Sequence, residues 1–278
     1  MDFRNASREA KEGQSAGWMG IWMEKRVQFG LAVAAAVLSF VGSWSAAARD
    51  TQRHLLSPDE AQRWRAVGSL RVAGQPSCTA ALISDIEAIT AAHCVVDRAS
   101  GLRVDPEYLA LVLGQRADGF AAVRKVVAVA FLPGFLSTEP VTGLAELSSD
   151  LALLRLSGSV SAQEATPFEV ADWPDPIDAM VEIVGYERGG SKTAAIRLGC
   201  LSIETWDGVT TVTCDLITGL SGSPVVLSQS PDSPLRLVAS VSARGIGVGY
   251  VVTIAPHLAE LRALIAKPYG AHGGAPRQ

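Results

Sequence analysis

At residues 218–227 the chain reads TGLSGSPVVL, in which a serine stands between two glycines and is followed by a proline and an apolar run. Glycine permits backbone angles that a side chain forbids. A tight turn of this kind holds the Ser221 hydroxyl out of the packing and aims backbone N–H groups at one point beside it, as a nucleophile and an oxyanion hole require. The same residues also suit an ordinary turn before a strand, so this stretch alone leaves both interpretations open.

The rest of the chain favours an all-β fold. About twelve short apolar runs are separated by turn residues such as those at 74–76 and 189–190, and this pattern predicts a barrel or a sandwich. A terminal helix is predicted over 255–266, where leucine and isoleucine recur at helical spacing. The predicted strands are 66–72, 77–83, 88–91, 109–114, 123–130, 151–156, 180–184, 196–203, 210–214, 224–227, 235–241 and 249–254.

Composition narrows the classes of function. The chain has 278 residues, of which 48% are hydrophobic and 19% charged, and its net charge is −4. This is an ordinary globular composition, and its mild acidity argues against nucleic acid as a partner, which would call for a basic face. The sequence has no CxxC or HExxH spacing, and we predict neither a metal site nor a cofactor.

The N-terminal segment predicts export. Basic residues at 25–26 precede an uncharged run at 27–48 that ends in small residues, which is typical of a signal peptide over 23–48 cleaved after Ala48 or Ala47. The alternative is a signal anchor left uncleaved at about 27–48, because 22 uncharged residues are long enough to span a bilayer. We expect a secreted or periplasmic protein, with no stable membrane insertion if the signal is cleaved.

The remaining boundaries follow from polarity. Residues 1–22 form a polar extension, which is untranslated if Met23 is the start. A polar lead-in is predicted at 49–63 and a flexible tail at 267–278.

The chain has four cysteines, Cys78, Cys94, Cys200 and Cys214. Export favours disulfides, and four cysteines allow three connectivities. Pairing of sequence neighbours would close two short loops, each worth roughly 3 kcal/mol in the chain-entropy model. A zinc site is the poorer alternative, because the cysteines lack close spacing.

A serine nucleophile also needs a base, and His93 follows a predicted strand in the sequence TAAHC at 90–94. This sequence is the histidine motif of the chymotrypsin-like (trypsin-type) serine proteases. The sequence GLSGSP at 219–224 resembles the nucleophile motif of their bacterial members, and SDLALLRL at 149–156 resembles the aspartate motif. The motifs occur in the order of that family, and the resemblance extends over about 64–266.

The resemblance implies two six-stranded antiparallel β-barrels, at about 64–158 and 177–254, followed by the helix at 255–266. It implies an exported serine endopeptidase that acts on polypeptides through an acyl-enzyme, and we expect a monomer. The implied site consists of the catalytic residues His93, Asp150 and Ser221, an oxyanion hole from Gly219 and Ser221, and disulfides Cys78–Cys94 and Cys200–Cys214.

Several residues depart from the family pattern. Leu220 stands where trypsin-type zymogens carry an aspartate that pairs with a new N-terminus, so we predict no activation by that route. Asp215, Ser242 and Arg244 are predicted to contribute to the substrate pocket. Asp215 implies a preference for basic residues or, as the favoured alternative, orders its loop. Arg244 would neutralise Asp215 or narrow the pocket, and Val241 argues against glutamate specificity because glutamate-specific members carry histidine there.

Two other functions compete with proteolysis. A protease-fold binding protein without turnover would normally have lost a triad residue, and all three are present in this sequence. An esterase of the α/β-hydrolase type would need Gly-x-Ser-x-Gly and the order serine, acid, histidine, which this chain lacks.

Overall fold

The computed structural model describes residues 53–97, 100–135, 143–174, 179–227 and 234–267. The predicted N-terminal extension, the signal segment and the tail from residue 268 onward lie outside the described residues. The strands are β1 (Arg53–Leu55), β2 (Val67–Val72), β3 (Gln75–Leu82), β4 (Glu87–Thr90), β5 (Leu109–Leu113), β6 (Ala122–Phe131), β7 (Ala152–Leu156), β8 (Glu169–Val170), β9 (Met180–Gly185), β10 (Ala195–Trp206), β11 (Val209–Val212), β12 (Pro224–Leu227), β13 (Arg236–Arg244) and β14 (Gly249–Thr253). The helices are α1 (Pro58–Arg63), α2 (Leu144–Ser148) and α3 (Ala255–Ile265), with single 3₁₀ turns at Ala92–Cys94 and Pro106–Tyr108.

The first barrel is a closed antiparallel ring in the order β2-β3-β4-β7-β6-β5. It closes where β5 pairs with β2, with Leu111 opposite Leu70. Both leucines are fully buried, as expected for strands whose inward side chains fill a small barrel. A Cβ on the neighbouring Gly68 would lie 2.4 Å from a methyl carbon of Leu111, so the interior has no room for a larger residue there.

The second barrel is also a ring of six antiparallel strands. It runs β9-β10-β11-β14-β13-β12 and closes where β12 pairs with β9. Two short strands attach to this ring: β8 runs parallel to β13, and β1 pairs antiparallel with β10. The N-terminal strand therefore belongs to the second barrel, although the first barrel follows it in sequence.

The C-terminal helix α3 follows the second barrel but packs against β6 and β7 of the first. Its Leu261 is fully buried. Its Arg262 donates from Nε to Glu87 Oε2 at 3.0 Å, and Arg155 of β7 donates to the other oxygen of Glu87 at 3.1 Å. Helix α3 is thus bonded to β4 and, through Glu87, linked to β7. Among the described residues, no helix combines the length and apolar character needed to cross a bilayer.

The predicted fold is confirmed: the chain forms two closed six-stranded antiparallel β-barrels and a C-terminal helix. The lead-in at 49–63, for which polarity alone gave little detail, contains β1 and α1. Helix α1 begins with a capping box in which Ser57 and Glu60 satisfy each other's backbone N–H groups. These bonds lower the pKa of Glu60 to about 2.

Candidate active site

His93 lies in the 3₁₀ turn that follows β4. The preceding residues, Ala91 and Ala92, are fully buried, so the turn fits closely against the first barrel. Cys94 forms a disulfide with Cys78 of β3, with 6.1 Å between their Cα atoms. The buried alanines hold the turn before His93 and the disulfide holds it after His93. The His93 side chain itself keeps 14% of its surface exposed.

The carboxylate of Asp150 holds the His93 imidazole. Asp150 lies between α2 and β7 and is buried. Its Oδ1 accepts from the His93 backbone N–H at 2.9 Å, and its Oδ2 lies 2.8 Å from Nδ1 of the ring. Because an ionised carboxylate only accepts hydrogen bonds, Nδ1 carries the ring proton and Nε2 is left as an acceptor.

A third partner completes the environment of Asp150. The Ser242 hydroxyl of β13 donates to Oδ2 of Asp150. Burial raises the pKa of the Asp150 carboxyl, but the charge and hydrogen bonds of His93 and the Ser242 hydroxyl outweigh it, so that pKa lies below its ordinary value. The carboxylate is therefore ionised at neutral pH although it is buried.

Ser221 lies in a turn that we call the nucleophile loop, residues 218–223. Gly219 has a φ of 101° and Gly222 a φ of 78°, angles that favour glycine. Space is equally restrictive at both positions. A Cβ on Gly222 would lie 2.1 Å from the Thr79 carbonyl oxygen, and one on Gly219 would lie 2.4 Å from the Arg188 nitrogen.

Hydrogen bonds from residues of β3 and β4 connect the nucleophile loop to the first barrel. The Thr79 N–H of β3 donates to the Ser221 carbonyl at 2.9 Å, and its hydroxyl donates to the Gly219 carbonyl at 3.0 Å. The Thr90 hydroxyl, three residues before His93, donates to the Thr79 carbonyl at 2.8 Å. The nucleophile loop of the second barrel is therefore bonded to β3 of the first barrel, and β3 is bonded to the residue three positions before His93.

A second connection joins the nucleophile loop to Asp150. The Gly222 N–H donates to the Val241 carbonyl at 2.7 Å, and Val241 directly precedes Ser242 on β13. One strand therefore bonds the loop with its backbone and Asp150 with its side chain. His93 and Asp150 are thus bonded to each other, and the loop that carries Ser221 is bonded to the strand that carries Ser242, the third partner of Asp150.

The N–H groups of Gly219 and Ser221 in the nucleophile loop remain available. The N–H groups of Leu220 and Ser223 bond to carbonyls within the turn, at 3.2 and 2.9 Å. Among the described residues, neither the Gly219 N–H nor the Ser221 N–H donates to an acceptor. Backbone donors left free beside a serine hydroxyl form the kind of group that stabilises a developing oxyanion.

The predicted pocket residues separate in the structure. Ser242 bonds to Asp150, as described above. Asp215 and Arg244 are both exposed, and no hydrogen bond or ion pair joins these two side chains. Within the described part of the chain, the Asp215 carboxylate has no hydrogen-bond partner, and only its backbone carbonyl accepts a bond, from Arg197 Nε at 2.9 Å. Leu216 is buried, with its side chain where a Cβ on Gly249 would collide.

Both predicted disulfide pairs are present. Cys200–Cys214 joins β10 to the segment before the nucleophile loop, with 5.2 Å between the Cα atoms. The Sγ atoms of Cys78 and Cys94 lie close to His93 in an arrangement that resembles a metal site. They are joined as a disulfide, and a disulfide offers no thiolate to a metal ion.

Sequence reasoning missed the groups that support the nucleophile loop. The hydroxyls of Thr79 and Thr90 bond to backbone carbonyls, and a threonine inside a strand gives no sign of such a role. The buried ion pair of Glu187 with Arg197 was also missed, as was its second partner, Arg53. Arg53 is distant in sequence from Glu187, and none of these residues matches a motif, so only the three-dimensional pairing reveals them.

Comparisons with known proteins agree with the fold. The sequence model of the family described as Trypsin matches residues 56–248. A solved structure titled "Structure of Glu endopeptidase in complex with MPD" superposes with a TM-score of 0.63 at 15% identity, covering 78% of this chain and 98% of that one. At that identity the likeness concerns the fold. No protein with a curated description matches the sequence.

Proposed function

This chain belongs to the trypsin family of serine endopeptidases, and from that premise we propose that it is an exported enzyme that hydrolyses peptide bonds through Ser221, His93 and Asp150. The observation that carries the proposal is the buried Asp150 carboxylate bonded to both the backbone and the ring of His93. That pairing leaves Nε2 as a base beside the nucleophile loop.

The chemistry follows from the positions of the protons. Nε2 of His93 takes the proton of the Ser221 hydroxyl while Oγ attacks the substrate carbonyl carbon, and Asp150 stabilises the resulting imidazolium. The carbonyl oxygen becomes an oxyanion that the free N–H groups of Gly219 and Ser221 stabilise, each worth about 3–4 kcal/mol. His93 then returns the proton to the leaving amine. Water then attacks the acyl-enzyme on Ser221. His93 takes the proton of that water and returns it to Ser221 Oγ, which leaves as the acid product is released.

Export is the second part of the proposal. Two disulfides suit an oxidising compartment, and the predicted signal at 23–48 would deliver the chain there. We propose a secreted or periplasmic monomer that acts on polypeptides, not on nucleic acid. An uncleaved segment at about 27–48 would instead anchor the enzyme to the membrane.

Activation without a new N-terminal ion pair is the third part. The Leu220 side chain is fully buried in the apolar core of the second barrel. It offers no carboxylate to a cleaved N-terminus, which supports a loop that forms without zymogen cleavage.

Substrate preference rests on Asp215. Because its carboxylate bonds to no described residue of its own loop, the loop-ordering role loses support, and we propose that Asp215 favours a basic residue before the scissile bond. Val241 is buried and apolar, which argues against a preference for glutamate even though the matched solved structure is titled as a Glu endopeptidase.

The test is turnover by the mature chain. The protein without residues 1–48 is incubated with a mixed peptide library, and the products are identified by mass spectrometry, with Ser221→Ala as the matched control. We expect cleavage that disappears in the variant. An intact library with a folded protein would support the catalytically silent binding protein instead.

A further inference from the structure

The peptide at residues 186–188, just after β9, forms the wall against which the nucleophile loop rests. The Arg188 N–H donates to the Thr218 carbonyl at 2.8 Å. A Cβ on Gly219 would lie 2.4 Å from Arg188 N and 2.5 Å from the Tyr186 carbonyl oxygen, so the two backbones are in close contact. The position of the Gly219 N–H therefore depends on the position of this peptide.

The side chain of Glu187 fixes the wall peptide through two arginines. Only 8% of the surface of this side chain is exposed. Its Oε1 accepts from Arg197 Nη2 at 2.9 Å and from Arg53 Nε at 2.8 Å, and its Oε2 accepts from Arg53 Nη2. The hydrogen bonds from Arg53 lower the pKa of Glu187, burial opposes them, and Arg197 adds to the lowering, so the carboxylate is charged at neutral pH.

Arg197 carries the same network to the segment that enters the nucleophile loop. Its side chain is 5% exposed, and its Nε donates to the Asp215 carbonyl at 2.9 Å. Cys214, the preceding residue, is fixed to Cys200 by the disulfide. The network therefore braces the wall peptide and the incoming segment together.

Arg53 is the one member of the network that comes from outside both barrel rings. It belongs to β1, which is three residues long and pairs with β10, with Arg53 opposite Arg197. Its side chain is 46% exposed, whereas Glu187 and Arg197 are almost fully buried. The N-terminal strand thus supplies the accessible half of a buried charge cluster.

We propose that Glu187 is a positioning residue for the Gly219 N–H and that Arg53 sets its geometry, so that the N-terminal strand β1 governs the rate of turnover. The inference rests on the proposed function. With Arg53 in place both carboxylate oxygens are bonded. Without Arg53, Oε2 of Glu187 loses its partner and the carboxylate keeps one hydrogen bond, from Arg197, about which it can rotate. The peptide at 186–188 is then no longer held in one position.

The test compares Arg53→Ala and Arg53→Lys with wild type in the mature enzyme. The kcat and KM are measured on a peptide from the cleavage map, together with the Ki of the matching peptide aldehyde, whose adduct oxygen occupies the oxyanion hole. We expect Arg53→Ala to lower kcat roughly 10- to 100-fold, because a shift of about 1 Å can cost that much. KM should change little, the aldehyde should bind more weakly by a similar factor, and lysine should restore part of the loss.

Arg124→Ala is the matched control, since Arg124 forms a partly buried ion pair with Glu164 in the first barrel, away from the loop. It should leave kcat and Ki unchanged. Glu187→Gln should lower kcat and weaken aldehyde binding more than Arg53→Ala does. If Glu187→Gln does not fold, the result for Arg53→Ala alone tests the proposal. An active wild type with an unaffected Arg53→Ala overturns this inference alone, as does a fall in kcat with unchanged aldehyde affinity. An inactive wild type overturns the proposed function as well.

Discussion

The two halves of the site are built in different ways. On the first barrel, His93 and Asp150 are held by direct side-chain hydrogen bonds between residues whose chemistry is visible in the sequence. On the second barrel, the loop that carries Ser221 is held by backbone contacts, by the Thr79 hydroxyl and by two glycines at positive φ. The first half therefore depends on the identity of its side chains, and the second on the geometry of its backbone.

The largest expected effect comes from the half that depends on side-chain identity. Asp150→Asn replaces an acceptor by a group with an N–H₂ donor, so Nδ1 no longer has a carboxylate to hold its proton and the tautomer is lost. We expect kcat/KM to fall about 10,000-fold with the fold retained, as in the triad template. Asp172→Asn, at an exposed aspartate, is the control and should retain full activity. A loss below about tenfold would show that Asp150 does not orient the base.

Next in size is a change that affects only the backbone of the second half. Gly222→Ala puts a Cβ 2.1 Å from the Thr79 carbonyl oxygen at a φ of 78°. We expect it to lower the free energy of unfolding by about 2–5 kcal/mol, from left-handed strain and overpacking together. Activity should also fall in whatever fraction remains folded.

Gly74→Ala separates these two causes. Gly74 has a φ of 79° but nothing within 4 Å of the added carbon. Chemical denaturation should show a loss of about 1–2 kcal/mol, from strain alone. Equal losses for the two variants would mean that the close contact with Thr79 contributes nothing.

Much of the fold and of the candidate triad could be predicted from the sequence. Short motifs name His93, Asp150 and Ser221, short apolar runs between turns indicate an all-β chain, and the resemblance that the motifs carry implies two barrels. The support of the second half could not be predicted. Arg53 lies far from Glu187 and Arg197 in the chain, and the pairing of all three follows from how β1, β9 and β10 come together. Asp215 matched a pattern, yet its exposure and lack of a bonded partner in the described loop became apparent only from the fold.

Acid stability compares the two halves through one buried carboxyl in each. Asp150 and Glu187 both have folded-state pKa values below their ordinary ones. Each therefore contributes stability that is complete above the unfolded-state pKa, about 4, and is lost as pH falls through the lower folded-state pKa. Between those two pKa values, each carboxyl adds at most about 1.4 kcal/mol per pH unit to the slope of the free energy of unfolding against pH.

Denaturant unfolding measured between about pH 5 and 2 checks this expectation. Asp150→Asn and Glu187→Gln should each show a shallower loss of stability with acid than wild type. A slope unchanged in Glu187→Gln would mean that the network around Arg53 does not hold that carboxylate in its charged form.

The smallest effect is expected at the substrate side of the second half. Asp215 is exposed, so its attraction for a cationic substrate side chain is screened by water and worth about 0.2–1 kcal/mol. Asp215→Asn should therefore reduce the preference for arginine or lysine before the cut by about 1.4- to fivefold. Library digestion measures the ratio of cuts after basic residues to cuts after other residues. If this ratio is the same in the variant, Asp215 does not select the substrate and its role lies within its own loop.

The most direct test of the central claim is to find which atom the enzyme uses as its nucleophile. The mature chain is treated with a peptidyl phosphonate, and the adduct is located by intact mass and peptide mapping. We expect one adduct per chain, on Ser221, formed much more slowly in Asp150→Asn and absent in Ser221→Ala. An adduct on another residue, or none from a folded wild type, would contradict it.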